Sequence, residues 1–312
     1  MMNGHSAEVL HGIYVPVLTF FEDTKEQNVD HATLEKHIHM CLAGGSQGIV
    51  ILGSTGERVC LSEEEQDSVV RTARKALDSF GQPDRVLIAG AGGHSTTDAI
   101  KRVNAAAAAG AQYALVLPPS YYPAFYGGDK GLRDFYVDLA AEAKIPIIIY
   151  SYPGVCSGID MSSNLISSIM KAAPNVVGVK HTDHNVGKIA RVAAQNPTKT
   201  VLAGASDYGI GAWSVGATGA ITGAGNVAPK LLQRLFKLQR DGKAQEAQEL
   251  QGKLAVGEAL LGAGGVAAHK YLIEAFYGYG GVPRRPQQPS PDAFKKEALE
   301  AWQSLMEIEK SL

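Results

Sequence analysis

Cysteine is scarce in this chain, with three residues in a total of 312. Cys41, Cys60 and Cys156 are odd in number and far apart, which is typical of free thiols in a reducing compartment and argues against a disulfide framework. Residues 1–10 contain neither the basic segment nor the apolar segment of a secretory signal. We therefore expect a cytoplasmic protein.

Long apolar runs and an excess of either charge are also missing. No run approaches the ~20 residues that a membrane helix requires. Lysine and arginine number 29 against 31 acidic residues, and this balance argues against a broad nucleic-acid surface. Residues 90–93 (GAGG) lack the third glycine of a dinucleotide loop, and no GxxxxGK(S/T) phosphate loop occurs. The sequence predicts neither a membrane nor a nucleic acid as a partner.

Glycine, in contrast, is abundant, with 35 residues spread along the chain. Eight short apolar runs, bounded by glycine or proline, alternate with segments of helical spacing; they are 12–20, 48–53, 86–92, 113–119, 145–153, 176–182, 200–205 and 219–225. Such runs are typical of strands buried on both faces of a parallel sheet. Eight strand–helix units favour a (β/α)8 TIM barrel over an open doubly wound sheet, although both are built from the same right-handed units.

The chain continues for about ninety residues after the eighth run, which is more than one barrel helix needs. Four helical segments are expected there, at 229–240, 243–261, 266–277 and 291–311. We predict a barrel over residues 1–228 and a C-terminal helical appendage over 229–312, packed on the barrel.

Reactive side chains stand where the strands of such a barrel end, and those ends form its active-site face. Lys180 lies inside the apolar run VVGVKHT, where an unpaired ammonium would be costly to bury. The lysine is either paired with a carboxylate on a neighbouring strand or kept neutral by burial, and a neutral amine can form a Schiff base with a ketone.

Two further features accompany the lysine. Tyr150 ends the fifth predicted strand (147–150, IIIY), where its ring could cap the core or its phenol could carry protons for imine chemistry. Residues 53–57 (GSTGE) form either an ordinary turn or one whose N–H groups and hydroxyls hold a carboxylate. His37, His39 and Cys41 would not converge on one helix, so no metal site is predicted.

Together these residues resemble the pyruvate-dependent class I aldolase family of dihydrodipicolinate synthase and N-acetylneuraminate lyase. Residues 53–57 look like its GxTGE turn, and 119–122 (PSYY) like the segment that carries a relay tyrosine. Residues 150–153 (YSYP) resemble its YxxP signature, and 178–180 (GVK) its Schiff-base GxK. These motifs occur in family order between about residues 12 and 229.

The resemblance implies a role for each residue. Lys180 would form the imine with pyruvate, so no metal or separate cofactor is needed. Tyr150 would move protons with Thr55 and with Tyr121, which in this family usually comes from a neighbouring subunit of a homotetramer built as a dimer of dimers. Ser54 and Thr55 would bind the pyruvate carboxylate. The remaining predicted substrate contacts are Thr182, Gly204, Ser206 and Ile221.

Departures from the family pattern bear on the substrate. Val155 stands where dihydrodipicolinate synthases carry an arginine for the second carboxylate, so aspartate semialdehyde is expected to be a poor acceptor. Lys180 is followed by His181 and Thr182, closer to the lyase branch, yet Ser206 replaces the acid of the sialic-acid lyases. We expect an aldolase for a 2-keto-3-deoxy sugar acid or 4-hydroxy-2-oxoglutarate, with dihydrodipicolinate synthase as the alternative. A silent barrel that only binds a keto acid is the alternative of another class.

Overall fold

Eight parallel strands close into a barrel in chain order in the computed structural model, which describes residues 8–82 and 84–312. The strands are β1 (Gly12–Pro16), β2 (Gly48–Ile51), β3 (Val86–Gly90), β4 (Tyr113–Val116), β5 (Ile147–Ser151), β6 (Val176–His181), β7 (Thr200–Ala203) and β8 (Gly219–Ile221). The (β/α)8 barrel expected from the sequence is thereby confirmed.

Helices follow the strands and surround them. They are α1 (His31–Ala43), α2 (Glu63–Ser79), α3 (Thr96–Ala109), α4 (Asp129–Glu142), α5 (Ser163–Ala172), α6 (Val186–Gln195), α7 (Gly209–Ser214) and α8 (Pro229–Arg240). Local signals set several of their ends. Ser62 and Glu65 form a capping box at the start of α2, and Gly110, with a φ of 115°, ends α3.

Two helices extend beyond the barrel ring, α9 (Ala244–Tyr277) and α10 (Asp292–Ser311). Gly265 interrupts α9 with a φ of 57° and a ψ of −144°, which a glycine adopts without a steric penalty. The break separates the two helical segments that the sequence predicts there. The division of the chain at residue 228 stays a prediction. None of the helices in the described ranges is long and apolar enough to cross a membrane.

The core has two layers, one inside the barrel and one between the strands and the helices. The inner cluster contains Tyr14, Val50, Ile88, Leu115, Ile148, Tyr150, Val177, Leu202 and Ile221. The outer cluster takes the alternate strand residues, such as Ile147, Ile149 and Val179. Because side chains alternate across a strand, this division shows which residues of each strand face the barrel interior.

A β-bulge in β6 changes that alternation close to the predicted lysine. Val176 pairs with Ile147, but Gly178 pairs with Ile148, so Val177 is the extra residue. After the bulge, Lys180 pairs with Tyr150, and both side chains lie on the inner face. The bulge therefore directs Lys180 into the barrel.

Candidate active site

Lys180 and Tyr150 meet inside the barrel at the carboxyl ends of β6 and β5. Each is about 4% exposed, and Lys180 Nζ lies 4.1 Å from the centroid of the Tyr150 ring. Burial lowers the pKa of the Lys180 amine to about 7, and no carboxylate among the described residues opposes that shift. The amine is therefore largely neutral and nucleophilic just above neutral pH, as imine formation requires.

The Tyr150 phenol lies among hydroxyl groups. Burial raises its pKa to about 12, while the side chains of Ser54 and Thr182 act in the opposite direction. Thr182 Oγ1 is buried and has no hydrogen-bond partner of normal geometry among the described residues. Ser54 is thus the residue of the 53–57 turn that faces this phenol, whereas Thr55 lies half-buried beside it.

Glu57, the last residue of the same turn, is held by contacts with the C-terminal segment. It has a φ of 53°, and its buried Oε1 accepts a hydrogen bond of 2.7 Å from the ammonium of Lys270 on α9. Its Oε2 accepts from the backbone N–H of Arg284 and from Gln287, each at 2.8 Å. The C-terminal segment therefore holds the turn that presents Ser54.

The ends of β7 and β8 complete the rim next to Lys180. A Cβ on Gly204 would lie only 2.0 Å from Thr182 Oγ1, so only glycine fits against this side chain. Ile221 is fully buried in the barrel interior. Ser206 is also fully buried, and its N–H and hydroxyl both donate to the Glu258 carboxylate.

Glu258 is a residue of this region that the sequence reasoning missed. It comes from α9, and its Oε1 accepts a 2.8 Å hydrogen bond from Thr222 at the end of β8. The signal available in the sequence was a single acid within the otherwise uncharged stretch 254–265.

Tyr121 lies apart from this buried group. Its side chain is 70% exposed, and its ring contacts those of Tyr122 and His94. Phe125, which is 84% exposed, contacts Tyr122, and these three side chains form a surface that we call the aromatic patch (Tyr121, Tyr122 and Phe125).

The charged residues after β6 form a separate network. His181 points to the outer side of the strand, where its Nδ1 lies 3.3 Å from Asp183. Asp183 is also bound by buried Lys188 at 2.8 Å. His37 bonds to Asn226 and Tyr279. In the part of the chain that the structure describes, no group of three acidic, histidine or cysteine side chains could hold a metal ion.

Comparison with known proteins agrees with this geometry. The model of the dihydrodipicolinate synthetase family matches residues 9–302. A protein of Coccidioides immitis that bears the name 4-hydroxy-2-oxoglutarate aldolase, mitochondrial, is 38% identical over 96% of this chain and 97% of its own. L-threo-3-deoxy-hexylosonate aldolase of Aspergillus niger is 36% identical over 96% of both chains.

A solved structure of a dihydrodipicolinate synthase family protein, also from Coccidioides immitis, superposes with a TM-score of 0.87. It is 35% identical and covers 98% of this chain and 99% of its own. The match extends over the barrel and over the C-terminal helices alike.

Proposed function

The chain belongs to the dihydrodipicolinate synthetase family of carbon–carbon lyases, and we propose that its Schiff base with pyruvate forms on Lys180. The observation that carries this proposal is a buried lysine, free of a carboxylate partner among the described residues, whose amine lies over the ring of Tyr150. A silent keto-acid-binding barrel would have no need to bury an uncompensated amine beside a phenol.

The substrate that we propose is a 2-keto-3-deoxy sugar acid or 4-hydroxy-2-oxoglutarate. Relatives that share 36–38% identity over nearly the whole chain bear the names of aldolases for such compounds. Val155 follows the YxxP proline and cannot bind a carboxylate, which argues against dihydrodipicolinate synthase activity.

In the cleavage direction, the neutral Lys180 amine attacks the C2 ketone of the substrate. The carbinolamine loses water and leaves a protonated imine, whose nitrogen accepts the electron pair when the C3–C4 bond breaks. The Tyr150 phenol gives its proton to the departing hydroxyl of the carbinolamine, and the resulting phenolate takes the proton of the C4 hydroxyl as the aldehyde leaves. The enamine then takes a proton at C3, and water hydrolyses the imine to release pyruvate and the free lysine. This chemistry uses the lysine in place of a cofactor.

The turn after β2 fits the pyruvate carboxylate. Ser54 and Thr55 offer hydroxyls and backbone N–H groups at the mouth, opposite β6 in the barrel order. Ser54 is in position to relay protons, because its side chain interacts with the Tyr150 phenol. We therefore assign the relay to Ser54 and Tyr150, and carboxylate binding to both hydroxyl residues. The Thr182 hydroxyl lies beside the Tyr150 phenol and can also bind a substrate oxygen.

We also infer that the protein works as a homotetramer made of two close dimers. The aromatic patch presents three large aromatic side chains to solvent, and a second copy of the chain would cover them. Tyr121 belongs to that patch, and we propose that it serves the active site of the neighbouring chain. We also propose, separately from the oligomeric state, that the protein is cytoplasmic.

Borohydride trapping tests the central step. Pyruvate and borohydride should add one reduced pyruvyl group per chain, and peptide mapping should place it on Lys180. Lys180→Ala should take up none, while Lys188→Ala, which removes another buried lysine beside the site, should still be labelled at Lys180. Labelling at a different lysine, or none in a folded protein, would contradict the mechanism.

A further inference from the structure

Glu258 is a buried acid that no cation neutralises. Its side chain accepts hydrogen bonds from the Ser206 N–H at 2.8 Å, from the Ser206 hydroxyl and from Thr222 Oγ1. These three donors suit the ionised carboxylate, because such a group only accepts hydrogen bonds. None of the lysine or arginine side chains in the described ranges pairs with it.

The other buried acids of the mouth are compensated. Glu57 is bound by Lys270 at 2.7 Å, and Asp183 by Lys188 at 2.8 Å. Glu258 instead has a second acid near it, since Asp207 follows Ser206. Oδ2 of Asp207 lies 3.4 Å from His184 Nε2, and its Oδ1 is buried without a partner among the described residues. The rim at β7 and β8 is therefore negative.

This negative rim adjoins the reacting lysine. β7 is the neighbour of β6 on the side away from β5, and Gly204 at its end packs directly against Thr182. Thr182 is two residues beyond Lys180. Glu258 thus supports the two rim segments that stand next to the imine position.

A cation lies on another side of the mouth, at the end of β2. Arg58 directly follows the 53–57 turn, is half-buried, and donates to the backbone carbonyl of Gly92 just after β3. Its Nε has no partner in the described structure. A cation therefore lies beside the turn proposed to bind the pyruvate carboxylate, whereas the acid Glu258 binds the ends of β7 and β8.

We propose that Glu258 determines which charge the site accepts on the aldehyde half of its substrate. Its carboxylate favours a neutral, hydroxylated aldehyde and disfavours one with a carboxylate, because like charges repel strongly where water is excluded. The preferred substrate is then a monocarboxylate 2-keto-3-deoxy sugar acid and not the dicarboxylate 4-hydroxy-2-oxoglutarate. This inference rests on the proposed aldolase activity.

The ionisation of Glu258 sets the conditions for a test. Burial raises the pKa of its carboxyl to about 7, with Asp207 adding to the rise and the Ser206 and Thr222 side chains opposing it. The Glu258 carboxyl is therefore mostly ionised at pH 8, where its repulsion of a second substrate carboxylate should be close to its maximum.

The experiment compares kcat/KM for a 2-keto-3-deoxyhexonate and for 4-hydroxy-2-oxoglutarate at pH 8, with pyruvate release as the readout. The wild type should favour the monocarboxylate by about tenfold or more. Glu258→Gln keeps the shape and removes the charge, so the ratio should move at least about tenfold toward the dicarboxylate. Glu309→Gln is the matched control, because Glu309 is also buried but binds the N-terminus of α8, and its ratio should equal that of the wild type.

Two results would overturn the proposal: a ratio in Glu258→Gln that stays within twofold of the wild type, or a wild type that prefers the dicarboxylate. The wild-type preference can be measured without any variant. The proposal can therefore be overturned even if the Glu258→Gln protein fails to fold. A wild type that cleaves neither substrate and gives no pyruvate adduct on Lys180 would overturn the aldolase proposal as well, and trapping distinguishes that case.

Discussion

At the residue scale, the chemistry of this site depends on one amine kept out of water. Lys180 and Lys188 are both buried near the end of β6, yet their environments are opposite. Lys188 has Asp160 and Asp183 as partners, and although burial acts to lower its pKa, these carboxylates raise it overall. Lys180 has burial alone, which lowers its pKa to about 7. Of these two lysines, Lys180 is therefore the nucleophilic one at neutral pH.

The pH dependence of imine formation should reveal this difference. Because the lowered pKa makes the Lys180 amine neutral above about pH 7, the rate of pyruvate adduct formation should rise through pH 7 and level off above about pH 8. An ordinary lysine would keep gaining reactivity toward pH 10. Stopped borohydride trapping between pH 5.5 and 10 measures the curve. A rate that climbs steadily to pH 10 would show that the amine is not held neutral by burial.

At the element scale, α9 connects the C-terminal segment to the mouth of the barrel. Glu258 lies before the break at Gly265 and binds the ends of β7 and β8. Lys270 lies after the break and binds Glu57, which belongs to the turn after β2. One helix therefore supports two separate parts of the site. The break lets each half of the helix take its own direction toward the barrel.

Replacing Lys270 should damage both stability and pyruvate binding. Lys270→Met leaves the buried Glu57 carboxylate without its cation, which should cost about 3–5 kcal/mol of unfolding free energy. The turn that carries Ser54 should loosen, so the concentration of pyruvate needed for half-maximal trapping should rise. Urea unfolding and pyruvate titration measure the two effects.

Lys130→Met provides the control for that substitution. It breaks an exposed ion pair with Asp134 on α4 and should change stability by less than about 1 kcal/mol. If Lys270→Met lowered the free energy of unfolding no more than Lys130→Met does, the contact between α9 and the turn would not stabilise the protein.

At the scale of the whole molecule, the aromatic patch is the feature that one chain leaves unexplained. Phe125 and Tyr121 are 84% and 70% exposed, which is unusual for aromatic residues that lie near a catalytic mouth. A second copy of the chain would bury them, and the Tyr121 phenol would then face the partner's site.

Disruption of the patch should dissociate the close dimer. Phe125→Glu places a charge in the patch and should shift the mass measured by light scattering to a smaller species. Val256→Glu, on the exposed side of α9, introduces the same charge elsewhere and should leave the mass unchanged. Activity should also fall in Phe125→Glu, since each site would lose Tyr121 from its neighbour. An unchanged mass for Phe125→Glu would place the interface elsewhere.

Much of the fold is determined by the sequence locally. The eight apolar runs predict the eight strands, because residues buried on both faces of a parallel sheet are apolar throughout. Ser62 with Glu65 and the glycine at 110 mark helix ends through hydrogen bonds and backbone angles that span only a few residues. Lys180 stands out for the same reason, as a cation within an apolar run.

Other decisions belong to the tertiary structure. Alternation counted from Val176 would turn Lys180 outward, and only the bulge opposite β5 directs it toward Tyr150. That bulge depends on how two strands pair, which no local pattern contains. Glu258 reaches Ser206 across 52 residues of chain, so its role follows from the packing of α9 on the barrel. Burial and backbone preference act over neighbouring residues, whereas strand register and distant contacts arise only when the whole chain packs.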